Sequence, residues 1–275
     1  MKKYFIAVVL VAVFLSLISC APTMRLLAKK ILIDNTHNNV NNFDGKGKDV
    51  FYETLIEEIE EGYHTLNFTS DVGFVLEGYD VVILPAPFTS YLASERNKIY
   101  NFLNNGGTLV AMGEHGGFTN NVPLNTLLTF LGVDIQFMSN TINDNINYYN
   151  YTTNPIISEF FDHPTTSYID FIVLFVACSL DVFGNASVVA ESTTLSAPET
   201  FLEENLESSV PSLIQELLIE PQVSISVPIV AVDNVGKGKV IAIPDTNLFG
   251  NKVNDGTPYI DVHDNFQFFY NILFW

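Results

Sequence analysis

Apolar residues in this chain fall into short unbroken runs, separated by polar turns and by segments of helical periodicity. The runs KILID (30–34), DVVIL (80–84) and TLVAM (108–112) show no inward–outward alternation, so both faces of each strand are expected to be covered. Residues 49–61 place Val50, Leu55, Ile56 and Ile59 near helical spacing. A second helix is predicted from an N-cap at Ser94 through Leu103, ending at Gly106-Gly107. Residues 64–69 predict a weaker strand, followed later by a helix near 124–131 and a strand near 133–138. This alternation predicts an α/β fold, a mainly parallel sheet with helices on both faces.

The pattern changes after that point. The asparagine-rich stretch 139–154 predicts a long loop or flap. Strands are predicted at 171–179 and 187–190, then a helix near 210–219. Two further strands, 227–232 and 240–243, flank the turn at 233–236. The last helix, 265–274, aligns Phe266, Phe269, Tyr270 and Leu273 along one stripe. No internal repeat or linker divides residues 30–275, which read as one domain.

The beginning of the chain reads differently. Lys2 and Lys3 precede an apolar run, and Leu17-Ile18-Ser19-Cys20 closes it. This order resembles the signal peptide and lipobox of bacterial lipoproteins. The resemblance implies removal of residues 1–19, diacylation (palmitate-type) of Cys20, and a tether over residues 20–29. The apolar run is shorter than the roughly 20 residues a spanning helix requires. Ala21 follows the cysteine, so the expected address is the cell envelope, the outer membrane where one exists, with the domain facing periplasm or exterior.

Composition narrows the partners. The chain carries 12 Lys and Arg against 31 Asp and Glu, and loss of the signal moves the net charge from −19 to −21. Nucleic acid is excluded as a partner, since its phosphates demand clustered cations. The same balance argues against adhesion to anionic lipid by charge, so acylated Cys20 is expected to provide the membrane contact. Cys178 then remains as the single thiol, inside an apolar run, and is expected to be buried and inert.

The run YDVVILPAPFTSYLASERNKIYNFLNNGGTLVAMGEHGG (79–117) resembles the middle of the class I glutamine-amidotransferase-like fold, a flavodoxin-like architecture. His163-Pro164, VAESTTLS (189–196), GKVIAIPDTNLFGN (238–251) and the terminal aromatic helix extend the likeness. Their order is similar to the uncharacterised amidotransferase-like domains related to gliding-motility and ABC-transport auxiliary proteins. In that family a cysteine nucleophile sits on the turn after the strand that here is 108–112. Glu114 occupies the corresponding position, with His115 beside it, so thiolate chemistry on that turn is excluded. Fold can persist where activity is lost.

Ligands of open parallel sheets bind beyond the carboxyl ends of the strands. That rule gathers Asp34, Asn35, His37, Glu114, His115, Asp245 and Asn247 as candidate ligand-binding residues. Glu114 and His115 are the candidates for catalysis. His37, His115, Asp245 and Asp255 are candidate ligands for a divalent metal, zinc or calcium. The run 245–264 adds Asn251, Asn254, Asp261 and Asp264 as oxygen donors, but no EF-hand register orders them. A metal site, a polar binding cleft and merely solvated loop ends all remain open. Phe118, Phe137, Tyr148, Tyr149 and Tyr151 are aromatic groups expected near the cleft, for stacking on a ligand or for packing. The expected function is a membrane-tethered, non-catalytic binding or accessory lipoprotein of the envelope, serving a transport or surface complex. The alternative is a metal-assisted hydrolase of an envelope amide or glycan, using His37, Glu114, His115 and Asp245.

Overall fold

The computed structural model describes residues 28–40, 52–193, 196–200, 226–251 and 256–275. The segment 1–19 expected to be a signal, Cys20, Asp255 and the helix expected near 210–219 lie outside them. The strands are β1 (Lys30–Ile33), β2 (Thr65–Phe68), β3 (Val81–Pro85), β4 (Thr108–Met112), β5 (Ile135–Phe137), β6 (Asn140–Asp144) and β7 (Ile156–Ile157). Then come β8 (Glu159–Phe160), β9 (Ile172–Val173), β10 (Leu180–Val182), β11 (Ser187–Glu191), β12 (Ser196–Thr200), β13 (Pro228–Val235) and β14 (Gly238–Ile243). Helices are α1 (Glu53–Glu61), α2 (Thr69–Val72), α3 (Ala93–Asn104), α4 (Val122–Leu131) and α5 (Asn265–Phe274).

Eight strands form the main sheet in the order β2-β1-β3-β4-β14-β13-β11-β8. The first five run parallel, and the last three are added antiparallel. The parallel half has the flavodoxin-like order, with a switch point where the chain leaves β1 in one direction and returns at β3 in the other. β14 runs parallel to β4, with Lys239 opposite Thr108 and Ile243 opposite Met112. The loop after β14 therefore opens on the same edge as the loops after β1, β3 and β4.

Alternate strand residues face opposite layers, which explains the unbroken apolar runs. Ile31, Ile33, Val81, Ile83, Val110, Met112, Ile241 and Ile243 pack under Leu55 and Ile59 of α1 and Phe268, Phe269 and Ile272 of α5. Leu32, Val82, Leu84, Leu109, Ala111, Val240 and Ala242 pack under Ile99, Phe102 and Leu103 of α3 and Leu124, Leu127 and Leu128 of α4. The α/β architecture with helices on both faces is as the sequence predicts.

Three expectations are corrected. The stretch 139–154 is not all loop: β6 pairs antiparallel with β12. Its polar residues are used inward, Asn140 exchanging hydrogen bonds with Ser179 (2.8 and 2.9 Å) and Asp144 accepting from Thr193 (2.6 Å). Residues 171–179 are not one strand. Only Ile172 and Val173, as β9, pair with a neighbouring strand; just beyond them Asp245 Oδ2 accepts the Phe175 N–H that a continuing ladder would use. Val176 then turns through φ +67°, a strained region for a β-branched residue. Finally, α3 begins one residue before Ser94, and the Glu95 carboxylate accepts the Leu92 N–H at 2.7 Å. No helix among the described residues is long and apolar enough to cross a membrane.

Candidate functional site

The loops after β1, β4 and β14 bring Asp34, Asn35, His37, Glu114, His115, Asp245 and Asn247 to the carboxyl edge, as expected. All but His115 fall into two separate clusters there, each built around a buried carboxyl group.

The first lies beside the switch point. Asp34 is fully buried, and its N–H continues the sheet by donating to Ile83 O. Its Oδ2 is 2.7 Å from His37 Nδ1 and accepts from the Tyr91 hydroxyl at 3.0 Å. Oδ1 accepts from the hydroxyls of Thr36 and Thr69, both at 2.9 Å. His37 Nε2 faces Glu95 Oε2 at 3.2 Å. Burial alone would push Asp34 up and His37 down. The hydrogen bond and opposite charge between them outweigh that, Asp34 ending below the usual range and His37, with further help from Glu95, above it. When protonated, His37 donates at both nitrogens and has no lone pair for a metal. Asn35 is turned toward α2, accepting the Ser70 N–H at 2.9 Å.

The second cluster joins the turns after β4 and β14. Glu114 and Asp245 are both fully buried. Glu114 Oε1 accepts from Thr246 N–H (3.0 Å), from the Thr246 hydroxyl in a short contact, and from Asn247 Nδ2 (3.2 Å). Its Oε2 is buried without a hydrogen-bond partner. Asp245 Oδ2 accepts the Phe175 N–H at 2.6 Å and Oδ1 the Asn247 N–H at 2.7 Å. Burial drives both carboxyls upward, and the Asp245 charge adds to the shift of Glu114. Asp245 has N–H donors on both oxygens, which favours its charged form and sets that charge against ionisation of Glu114. Asn121 pins the turn, accepting the Glu114 N–H at 3.1 Å and donating to Glu114 O at 2.7 Å. Gly113 is required just before it, because a Cβ there would run into the Phe137 ring.

His115 joins neither cluster. Its ring stacks on Phe118 at 5.8 Å, its Nδ1 is buried without a partner, and burial lowers its pKa. The predicted metal set is therefore not assembled. His37 is held between carboxylates, Asp245 points at backbone N–H groups, and Asp255 lies outside the described residues. Among those residues no three His, Cys, Asp or Glu side chains are placed to hold a metal. Of the oxygens expected for calcium, Asp264 Oδ2 accepts from Asp170 and Phe171 N–H and Asn251 Oδ1 from Thr54 N–H, while Asn254 and Asp255 lie outside the described residues. These oxygens hold loops and do not converge on one point.

The aromatic set also divides. Phe137 is buried behind Gly113, and Tyr149 packs edge-on against Phe175, whereas Phe118, Tyr148 and Tyr151 are exposed. Cys178 is buried, takes a weak hydrogen bond from Asn121 and has its thiol pKa pushed up by burial. Sequence reasoning missed Tyr91, Glu95, Asn121, Thr246 and Asn265. Only their neighbours in space reveal them, since each acts on a residue from a different segment.

No family model matches the sequence, and no curated protein does. Solved structures are similar in fold. The mmIFT52 N-terminal domain aligns with 89% of this chain and 96% of its own, at 17% identity and a TM-score of 0.64. A cytoplasmic protein from Salmonella typhimurium LT2 aligns with 89% of this chain and 98% of its own, at 13% identity and a TM-score of 0.52. A ThuA-like protein from Bacteroides uniformis aligns with 90% of this chain and 89% of its own, at 15% identity and a TM-score of 0.49. At such identities the first two likenesses establish shared architecture and nothing about activity.

Proposed function

We propose that the chain is a membrane-tethered, non-catalytic binding or accessory lipoprotein of the cell envelope, acting beside a transport or surface complex. One observation carries the loss of catalysis. On the turn where related folds keep a nucleophile, this chain has Glu114, sealed from solvent and bound through Oε1 to Thr246 and Asn247. The group holds two loops together, and it is closed off from solvent. Binding is favoured by what remains exposed on that side, the aromatic rings of Phe118, Tyr148 and Tyr151. Anchoring is supported by Leu17-Ile18-Ser19-Cys20 at the end of the apolar run.

Mass spectrometry of the protein extracted from its native membrane tests the reading. A mature chain beginning at Cys20 with a diacylglyceryl thioether is expected. An unmodified chain that retains residues 1–19 would refute the anchor. Turnover of a peptide or glycan by the purified protein, abolished in Glu114→Gln, would refute the non-catalytic assignment.

A further inference from the structure

A cavity of about 690 Å³ opens at the opposite end of the sheet, where β1, β3, β4 and β14 begin. Lys29, Lys98 and Lys239 line it, together with Trp275, the single tryptophan of the chain. Lys239 Nζ lies over the Trp275 ring at 5.1 Å, and Lys29 Nζ over Phe274 at 5.7 Å. Lys98 Nζ donates to Phe74 O at 2.8 Å. Among the described residues none of the three ammonium groups makes an ion pair. Asp80 and Glu77 also line the cavity, and one Asp80 oxygen is occupied by the Lys30 N–H. Burial, then the nearby Lys29 charge, lowers the pKa of Lys239, as expected of like charges gathered without a counter-ion.

The arrangement is unusual for a chain of net charge −19. Six lysines and arginines fall among the described residues, and five of them, Lys29, Lys30, Lys98, Lys237 and Lys239, lie at or line this end. Arg96 is the exception, stacked on Phe130. The sequence total hid this separation. It is also the end at which the chain from Cys20 enters the domain, and the nine residues 21–29 span at most about 30 Å. Trp275 and the half-exposed Val75 add interfacial apolar surface beside the cations.

We infer that this cavity is a second binding site, one that takes the phosphate of an anionic phospholipid headgroup in the membrane carrying the anchor. The inference rests on the lipoprotein reading for the orientation of the domain. The ammonium groups of Lys29, Lys98 and Lys239 supply donors to the phosphate oxygens, and the headgroup replaces the missing counter-ion. The domain then sits with its lysine-rich end on the bilayer and its carboxyl edge facing away.

The test uses the mature chain carrying Cys20→Ser, so that no acyl group confounds it, and reads Trp275 fluorescence. Titration with phosphatidylcholine vesicles containing about 30% phosphatidylglycerol should shift and saturate the emission, with affinity falling about fivefold per lysine removed in Lys98→Gln and Lys239→Gln. Arg96→Gln should bind as the parent does. Unchanged emission, equal binding to pure phosphatidylcholine, or undiminished binding by the lysine variants would overturn the site. A saturable response to inorganic phosphate with none to vesicles would overturn the lipid assignment. The acylation measurement above is independent, so failure of the anchor and failure of this site are distinguishable.

Discussion

His37 Nδ1 stands 2.7 Å from the buried Asp34 Oδ2, while its other ring nitrogen faces Glu95 at 3.2 Å. His37 thereby closes the β1 loop onto α3. Replacing His37 by Gln should cost about 2–4 kcal/mol near pH 6, because Asp34 keeps its charge and loses its counter-ion. The sign with pH follows from the raised His37 pKa. Its contribution is complete below the unfolded value of about 6.5 and fades as pH rises through the higher folded value. Urea unfolding of both forms should therefore converge toward alkaline pH; a gap that widens there would contradict the pairing.

Glu114 and Asp245 should respond oppositely to amide substitution. A protonated Glu114 binds its proton more tightly folded than unfolded. It therefore costs stability progressively as pH rises above the ordinary carboxyl range of about 4–5. Glu114→Gln should gain on the parent between pH 4.5 and pH 8. Asp245→Asn would set an NH2 group against N–H donors and should lose about 2–4 kcal/mol. The reverse ranking in chemical denaturation would mean that Glu114 carries the charge.

Asn265 is buried at the start of α5 and serves three segments. Its Oδ1 accepts from Val173 N–H, and its Nδ2 donates to Val173 O and Tyr259 O at 3.1 and 2.9 Å. Asn265→Ala should lower stability by about 2–4 kcal/mol, since buried backbone groups lose their partners. A loss below about half a kcal/mol, the range typical of surface substitutions, would show that other groups satisfy them.

Gly113→Ala should cost about 1–3 kcal/mol by forcing the Phe137 ring to move. The double variant with Phe137→Leu should recover part of that loss. Thermal melting of the four forms completes the cycle, and strict additivity would argue against direct contact.

The parallel half of the fold was legible because β1, β3 and β4 are unbroken apolar runs and α3 ends at paired glycines. Legibility failed where polar side chains replace ladder partners. Residues 171–179 look like a strand in any apolar pattern, yet Asp245, 70 positions away, takes the Phe175 N–H. The same reason separates the candidate site from its expectation. The edge rule located Asp34, His37, Glu114 and Asp245 correctly, but it carried no information about which groups face each other. Glu95 captures His37, and Thr246 captures Glu114. Glu114 and His115, adjacent in sequence, face different surroundings, Glu114 toward Thr246 and His115 toward Phe118.

The place of β14 in the sheet has a consequence for biogenesis. It fills the centre, between β4 and β13, yet its Lys239 is 131 positions downstream of its partner Thr108. Until residue 243 is synthesised, β4 has an open side and the sheet cannot close across its middle. Pairings of such sequence separation form slowly. A chain that can complete its sheet only once residue 243 has been made leaves the β4 edge open to pairing with other strands until then.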